Sequence, residues 1–330
     1  MNSVRALAAL LLISATGRAQ SGHIIIDTDA GSDDFMAVSL LLSDPSVKID
    51  AITVVNGLAH VEAGTRNMGS LLDLAGRKSV PVFPGRNGPL RGNAEFPAEW
   101  RKISDDLGRY VPPSPLRPSH IRKRAADYLV ERLRNAREPV QILALGPLTN
   151  IAEALERDHS IARNIREVVI MGGAVHVPGN LQDGGVFHTD NSTAEWNIFI
   201  DPMAASIVFR SGVPIRLIAL DATNKVKIDA EYFHKFSAKA LTPLGRAVAE
   251  VLDADRESID QGIFYAWDPL AAAAILHPSL VKTVPMHIDV QEDGTDEGRT
   301  VSVGGQPNAN VAVDADAAGF RAIFLSSFAR

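Results

Sequence analysis

Residues His23-Ile24-Ile25-Ile26-Asp27-Thr28-Asp29-Ala30-Gly31-Ser32-Asp33-Asp34 decide the fold. An apolar run stops on an acidic turn, and Phe35, Val38, Leu41 and Leu42 then follow at helical spacing. A buried strand therefore feeds a turn and a helix, and four carboxylates fall within eight residues at the strand's carboxyl end. In an open α/β sheet that edge is where ligands bind. Four like charges so close repel unless a cation, a proton or outward spreading relieves them. Oxygen ligands with no Cys or His inside the turn suit a hard cation, Ca2+ or Mg2+. An acidic first turn facing a helix dipole would account for Asp33 and Asp34. It leaves Asp27 and Asp29, on the strand side, unexplained.

Outward from this stretch, strands and helices alternate. The first helix runs to about Ser43 and is stopped by Asp44-Pro45. Residues 49–55 form a strand ending on Asn56-Gly57; a helix spans about 61–75 and closes on Gly76; residues 80–83 form a third strand. Residues 119–136 read as helix, 140–145 as strand, and Gly146-Pro147-Leu148-Thr149-Asn150 opens a helix ending near Asp158. A strand at 167–171 ends on Gly172-Gly173. A helix from about Pro202, a strand 215–220 ending on Asp221, two helical pieces over 229–261, and an alanine-rich helix opened by Trp267-Asp268-Pro269 come next. Shorter strands (283–290, 299–303, 309–313) and a helix from about Asp316 close the chain. The pattern predicts a single α/β domain: a mostly parallel, Rossmann-like open sheet flanked by helices. Two stretches break it. Residues 84–118 are rich in Pro, Gly, Arg and Asn around Trp100 and read as a lid or binding loop, or else a plain surface excursion. Residues 174–194 read as a second irregular wall.

Composition narrows the partners. The chain has 330 residues, 46% hydrophobic and 22% charged, with a formal net charge of -6, which describes a globular protein with no basic face for nucleic acid. Residues 1–20 read as a cleaved secretory leader: Arg5, an apolar stretch Ala6 to Ala15 too short to span a bilayer, then Gly17-Arg18-Ala19. A buried N-terminal helix is the competing reading. The leader implies a periplasmic or secreted protein whose mature domain is 21–330. The absence of cysteine fits export without disulfides. No other stretch reaches transmembrane length, so a membrane is not an expected partner.

Several strand ends carry polar groups: Asp27 and Asp29, Asn56, Leu145-Gly146, Gly172-Gly173 with Asn180, and Glu195 with Asn197, while Asp268 stands at a helix start. With these in place, the acidic turn closely resembles the N-terminal signature of the inosine-uridine-preferring nucleoside hydrolases, with Ala30 where Pro is usual. Leu143 to Asn150, Met171-Gly172-Gly173-Ala174, Ala194-Glu195-Trp196-Asn197 and Asp268-Pro269 resemble the family's later blocks, in order. The resemblance runs from about Ile24 to the C-terminus. It implies that Asp29, Asp34, Asp268 and the carbonyl of Leu145 hold a Ca2+, completed by waters and two ribose hydroxyls. It further implies that Asp33, Glu195 and Asn197 bind the ribose, with Asn180 near its 5′ end, and that Asp27 orients the cluster from behind. Asn56 is a weaker ribose match, because the family often has its polar residue where this chain has Gly57. The implied reaction is hydrolysis of the N-glycosidic bond of a ribonucleoside, with Asp29 taking a proton from the attacking water. Family members are commonly dimers or tetramers, but the chain shows no interface signature.

Many members have a His just before the last metal-binding Asp; this chain has Trp267. The substitution resembles the purine-preferring branch, in which two indoles sandwich the base, and Trp100 is the candidate second indole. Such a sandwich favours a protonated purine by cation–π attraction. Packing in the core is the alternative for Trp267, and capping the loop for Trp100. His60, His176 and His188 receive no catalytic role. Two other functions fit parts of the sequence. One is a haloacid-dehalogenase-type phosphatase with Asp27 as nucleophile and Mg2+; the other is a non-catalytic exported nucleoside- or ribose-binding protein.

Overall fold

The computed structural model describes residues 22–112 and 123–329. The leader expected over 1–20, and the start of the helix expected at 119, lie outside the described residues. The order begins β1 (His23–Thr28), α1 (Ser32–Ser43), β2 (Lys48–Val54), α2 (Val61–Leu74), β3 (Val82–Pro84), α3 (Ala98–Asp105) and α4 (Ala125–Arg134). It continues β4 (Val140–Ala144), α5 (Thr149–Arg157), β5 (Ile165–Met171), α6 (Trp196–Ile200), α7 (Pro202–Arg210), β6 (Ile215–Ile218) and α8 (Leu220–Thr223). Then come α9 (Ala230–Lys239), α10 (Pro243–Ala254), α11 (Arg256–Gln261), α12 (Trp267–Leu276), β7 (Val281–Val290), β8 (Thr300–Val303), β9 (Ala309–Ala315) and α13 (Ala317–Phe328).

One nine-stranded sheet runs β3-β2-β1-β4-β5-β6-β9-β7-β8. It is parallel from β3 to β9, and β7 pairs antiparallel with both β9 and β8. Strand order reverses between β1 and β4, so the crevice of the doubly wound sheet opens beyond their carboxyl ends. The acidic turn leaves β1 and Leu145 leaves β4 at that point.

Buried on both faces, the central strands read as continuous apolar runs. Helix α1 is enclosed as well, with Phe35 through Leu42 all buried, and it packs against α12, α10 and α13. The run Ala271–Ala274 in α12 explains how two buried helices share one layer, since small side chains permit close approach. That packing carries Asp268, at the start of α12, to Asp34, at the start of α1.

Three expectations change. Residues 84–118 are not wholly irregular: α3 and a 3-10 turn over 106–110 lie within them. The buried positions of α3 are Arg101 and Ser104 rather than apolar residues, so no hydrophobic stripe advertised the helix. The strand from Ile215 stops at Ile218, and Asp221 falls in the short helix α8 instead of ending the strand. Residues 229–261 form three helices, because Asp255 interrupts the second piece.

Helix α13 seals the layer outside α1. Phe320, Phe324 and Phe328 recur every four residues and are fully buried, with Phe324 and Phe328 ring centroids 5.1 Å apart and Phe236 of α9 5.4 Å from Phe324. Truncating Phe324 to Ala leaves a cavity the neighbours cannot fill. It is expected to cost about 3–5 kcal/mol in denaturant unfolding; a loss under about 1 kcal/mol would mean that α13 is not part of the cooperative core.

Candidate active site

The turn after β1 is built around one strained residue. Ala30 has φ 59°, a left-handed conformation that costs a non-glycine residue about 1–2 kcal/mol. Hydrogen bonds hold it there: the Ala30 N–H donates to Thr28 Oγ1 at 3.0 Å, Thr28 Oγ1 donates to Asp34 Oδ1, and the Gly31 N–H donates to Asp34 Oδ2 at 2.9 Å. Proline, fixed near φ −65°, could not adopt this turn, so alanine at position 30 goes with the backbone seen here.

Asp27 sits behind the turn, fully buried. Its Oδ1 accepts from Thr53 Oγ1 at 2.5 Å and from Asn150 Nδ2 at 2.8 Å, tying β1 to β2 and to α5. Asp29 is 1% exposed and accepts from the Leu58 N–H at 2.8 Å. Two glycines back onto it. A Cβ at Gly57 would lie 2.1 Å from Asp29 Oδ2, and one at Gly146 would lie 2.8 Å from the Asp29 Cβ. Only glycine lets both strand ends close on this carboxylate.

Oxygens of Asp33, Asp34 and Asp268 lie within 4.8 Å of one another. Asp29 adjoins them through Asp34. Asp33, expected on the sugar, thus stands in the trio itself. Both oxygens of Asp268 are buried without a hydrogen-bond donor. Burial, then neighbouring carboxylates, push Asp29 and Asp268 well above the usual carboxylate range, and push Asp33 and Asp34 up to about 7. Burial also raises Asp27 and Glu195 to about 7. Converging carboxylate oxygens, with both of Asp268 lacking any donor, fit a hard divalent cation.

The opposite wall comes from β4, β5 and α6. Glu195 precedes α6, and its carboxylate accepts from the backbone N–H groups of Gly173 (2.8 Å), Asn197 (2.9 Å) and Ile198 (3.2 Å). Asn197 Nδ2 donates to the carbonyls of Leu145 (3.1 Å) and Met171 (3.2 Å), so the Leu145 oxygen keeps one lone pair for another partner. Asn180 Oδ1 accepts from the Trp196 N–H at 3.1 Å, fixing the irregular loop to α6. Asp221 shapes the same wall by accepting from the N–H groups of Val175 and His176.

The indoles occupy two clusters. Trp100 is edge-on to the buried Trp196, with centroids 5.5 Å apart, and Trp196 stacks on Phe96 at 4.9 Å. Trp267 packs against Phe264 and Tyr265, and its Nε1 is buried without a partner. Gly184 lies between the clusters, since a Cβ there would sit 3.6 Å from Trp100 and 4.0 Å from Ile263. His60, His176 and His188 are all exposed, and His60 pairs with Asp105 at 2.7 Å.

Three residues escaped the sequence reading. Asp255, between α10 and α11, bonds Ser32 and faces Asp33, with its carboxyl raised to about 6 by burial. Thr28 braces Asp34, and Arg101 is buried beside Asn56. Asp255 and Arg101 lie far from the acidic turn in sequence and carry no local signal; Thr28 lies inside the motif that was read.

Oxygen-lined, carboxylate-rich and placed at the switch point of a doubly wound sheet, these residues could hold a metal ion beside a bound ligand. Residues 24–322 match the family described as inosine-uridine preferring nucleoside hydrolase. The pyrimidine-specific ribonucleoside hydrolase RihA of Citrobacter koseri is 34% identical over 308 residues, covering 90% of this chain and 95% of the relative. Among solved structures, the plant nucleoside hydrolase PpNRh1 is 29% identical with a TM-score of 0.82, covering 94% of this chain and 99% of its own. A purine-preferring ribonucleoside hydrolase from Gardnerella vaginalis is 28% identical with a TM-score of 0.80, covering 93% and 98%. The chain belongs to the inosine-uridine-preferring nucleoside hydrolases, enzymes that act on N-glycosyl bonds.

Carboxyls raised above their unfolded values hold protons in the folded protein that the unfolded chain has released. They therefore favour folding at acid pH, and that contribution is lost as pH rises from about 4 through 7. Metal-stripped protein is expected to melt at a higher temperature at pH 5 than at pH 8. The reverse order in chelator would show that these carboxyls are not desolvated. Gly146→Ala, which drives a Cβ into Asp29, is expected to lower nucleoside turnover about 100-fold with the fold intact by circular dichroism. Unchanged turnover would mean that the position of Asp29 is immaterial.

Proposed function

We propose that this chain is an exported, Ca2+-dependent N-ribohydrolase that converts ribonucleosides, purine nucleosides preferentially, to free base and ribose. The observation that carries the reading is the set of carboxylates Asp29, Asp33, Asp34 and Asp268 at the sheet's switch point, all but the half-buried Asp33 enclosed, with both Asp268 oxygens lacking a donor. Asp29, Asp34, Asp268 and the Leu145 carbonyl would hold the cation, with Asp33 beside them. When bound, the cation supplies Lewis acidity toward water and toward the ribose hydroxyls.

The residues divide the remaining work. Asp29, held above the usual range by burial and Asp34, is the base that takes a proton from the attacking water. Asp33, Glu195 and Asn197 position the sugar, with Asn180 toward its 5′ end. Glu195 is already locked by three backbone donors, so little order is lost when substrate arrives. Asp27 takes no part in chemistry and holds β1, β2 and α5 in register. Bond cleavage builds an oxocarbenium-like sugar, which the surrounding carboxylates stabilise.

Purine preference rests on Trp267 in place of a His and on Trp100 as the candidate second indole. The name of the RihA relative, pyrimidine-specific, favours the opposite preference. The phosphatase alternative is set aside: the family is a different one, and Asp27, its nucleophile, is fully buried with Oδ1 already engaged. A non-catalytic binder would bind nucleoside without turnover. Reducing-sugar release from inosine, guanosine, adenosine and uridine, with and without chelator, is expected to show Ca2+-dependent cleavage that is faster on purines. Trp267→His is expected to narrow the gap between inosine and uridine. No cleavage with Ca2+ present sinks the hydrolase reading, and equal wild-type rates on inosine and uridine sink only the purine preference.

A further inference from the structure

Arg101 is the only buried cationic side chain among the described residues, 4% exposed on α3. Burying a guanidinium is costly unless its donors are engaged. Its single charged partner is Glu95, at 3.3 Å and 61% exposed. Nη2 donates to Asn56 Oδ1 at 2.8 Å, and Nε is buried with no partner. Because Arg offers only donors, Asn56 must present its oxygen to it, and the Asn56 amide nitrogen is thereby turned away. That nitrogen is also buried with no partner. Two enclosed N–H donors, one of them cationic, are left for an acceptor that the protein does not supply.

The place of the pair follows from β2. Asn56 immediately precedes Gly57, which touches Asp29, and Leu58, whose N–H donates to Asp29. Arg101 immediately follows Trp100 on α3. The helix itself is fastened to α2: the His60 N–H donates to Asp105 Oδ1 at 2.8 Å, and Asn67 Nδ2 to the Ser104 carbonyl at 2.9 Å. The donors are therefore fixed in place beside the acidic cluster.

We propose that Arg101, together with Asn56, is the subsite that receives the departing base. The inference rests on the hydrolase reading. Every purine or pyrimidine presents acceptors, either carbonyl oxygens or ring nitrogens that carry no hydrogen, and the ring nitrogen released from the sugar becomes a further one. As the bond between the anomeric carbon and the base nitrogen breaks, its electron pair stays on the base. Water oxygen bonds to the anomeric carbon, and the water proton passes to Asp29 and then to solvent. The guanidinium faces the base anion until it takes a proton from solvent. A fixed cation does this without becoming a proton donor, which suits a chain with Trp267 where many relatives have His, and with exposed His60, His176 and His188.

The test compares leaving groups on the full chain with Ca2+ present. Turnover of p-nitrophenyl ribofuranoside, whose leaving group is stable as an anion, is measured beside turnover of inosine and of uridine. Arg101→Gln is expected to raise the ratio of nitrophenyl-riboside to nucleoside kcat by about 100-fold, at the lower end of the range for removing a charge-stabilising donor. Asn56→Ala, measured in parallel, is expected to move the ratio in the same direction and decides the matter if Arg101→Gln does not fold. An unchanged ratio in the folded variants overturns the assignment, even if both rates fall together, because purely structural damage lowers both alike. Wild-type protein inactive on all three substrates would instead overturn the hydrolase reading on which the assignment rests.

Discussion

Like charges held together out of water constrain everything else in this molecule. Asp29, Asp33, Asp34 and Asp268 come from two helix starts and one strand end, and burial raises each above its ordinary range. Without a counter-charge, such a cluster keeps its protons or pushes its members apart. The fold resists the second outcome. Packing of α1 on α12 fixes Asp34 against Asp268, and Gly57 and Gly146 press Asp29 inward. Such an arrangement is costly to stability, and a cation bound there would recover that cost.

Strain and order around the cluster serve the same end. Ala30 in a left-handed conformation, Thr28 braced on Asp34, and Glu195 gripped by three backbone donors each limit where an oxygen can go. Side chains fixed before substrate arrives reorganise little during reaction, the condition under which electrostatic stabilisation is most effective. Phe96, Trp100, Trp196 and Phe187 pack together in one aromatic cluster beside α6, which Glu195 precedes.

Much of this was legible in the sequence because the informative residues are local. The strand-turn-helix around Asp27–Asp34 announces itself by an apolar run, a carboxylate cluster and helical spacing within twenty residues. The parallel pairing of β1 to β6 follows from the alternation of strands and helices, whereas the parallel place of β9 beside β6 does not. Illegible were features made by distant segments. Arg101 and Ser104 form a polar buried face on α3, so periodicity pointed to loop. Asp255 reaches Asp33 only through the bend between α10 and α11. Asp33 enters the carboxylate trio because α12 delivers Asp268, which no spacing in the chain reveals.

Calorimetric titration of Ca2+ into metal-free wild type and into Asp268→Asn tests the central claim most directly. The account predicts one ion per chain in the wild type, with affinity falling by more than about 100-fold in the variant, beyond the usual loss for partners that only support a ligand. Equal affinity in the two proteins, or no binding to either, would contradict it.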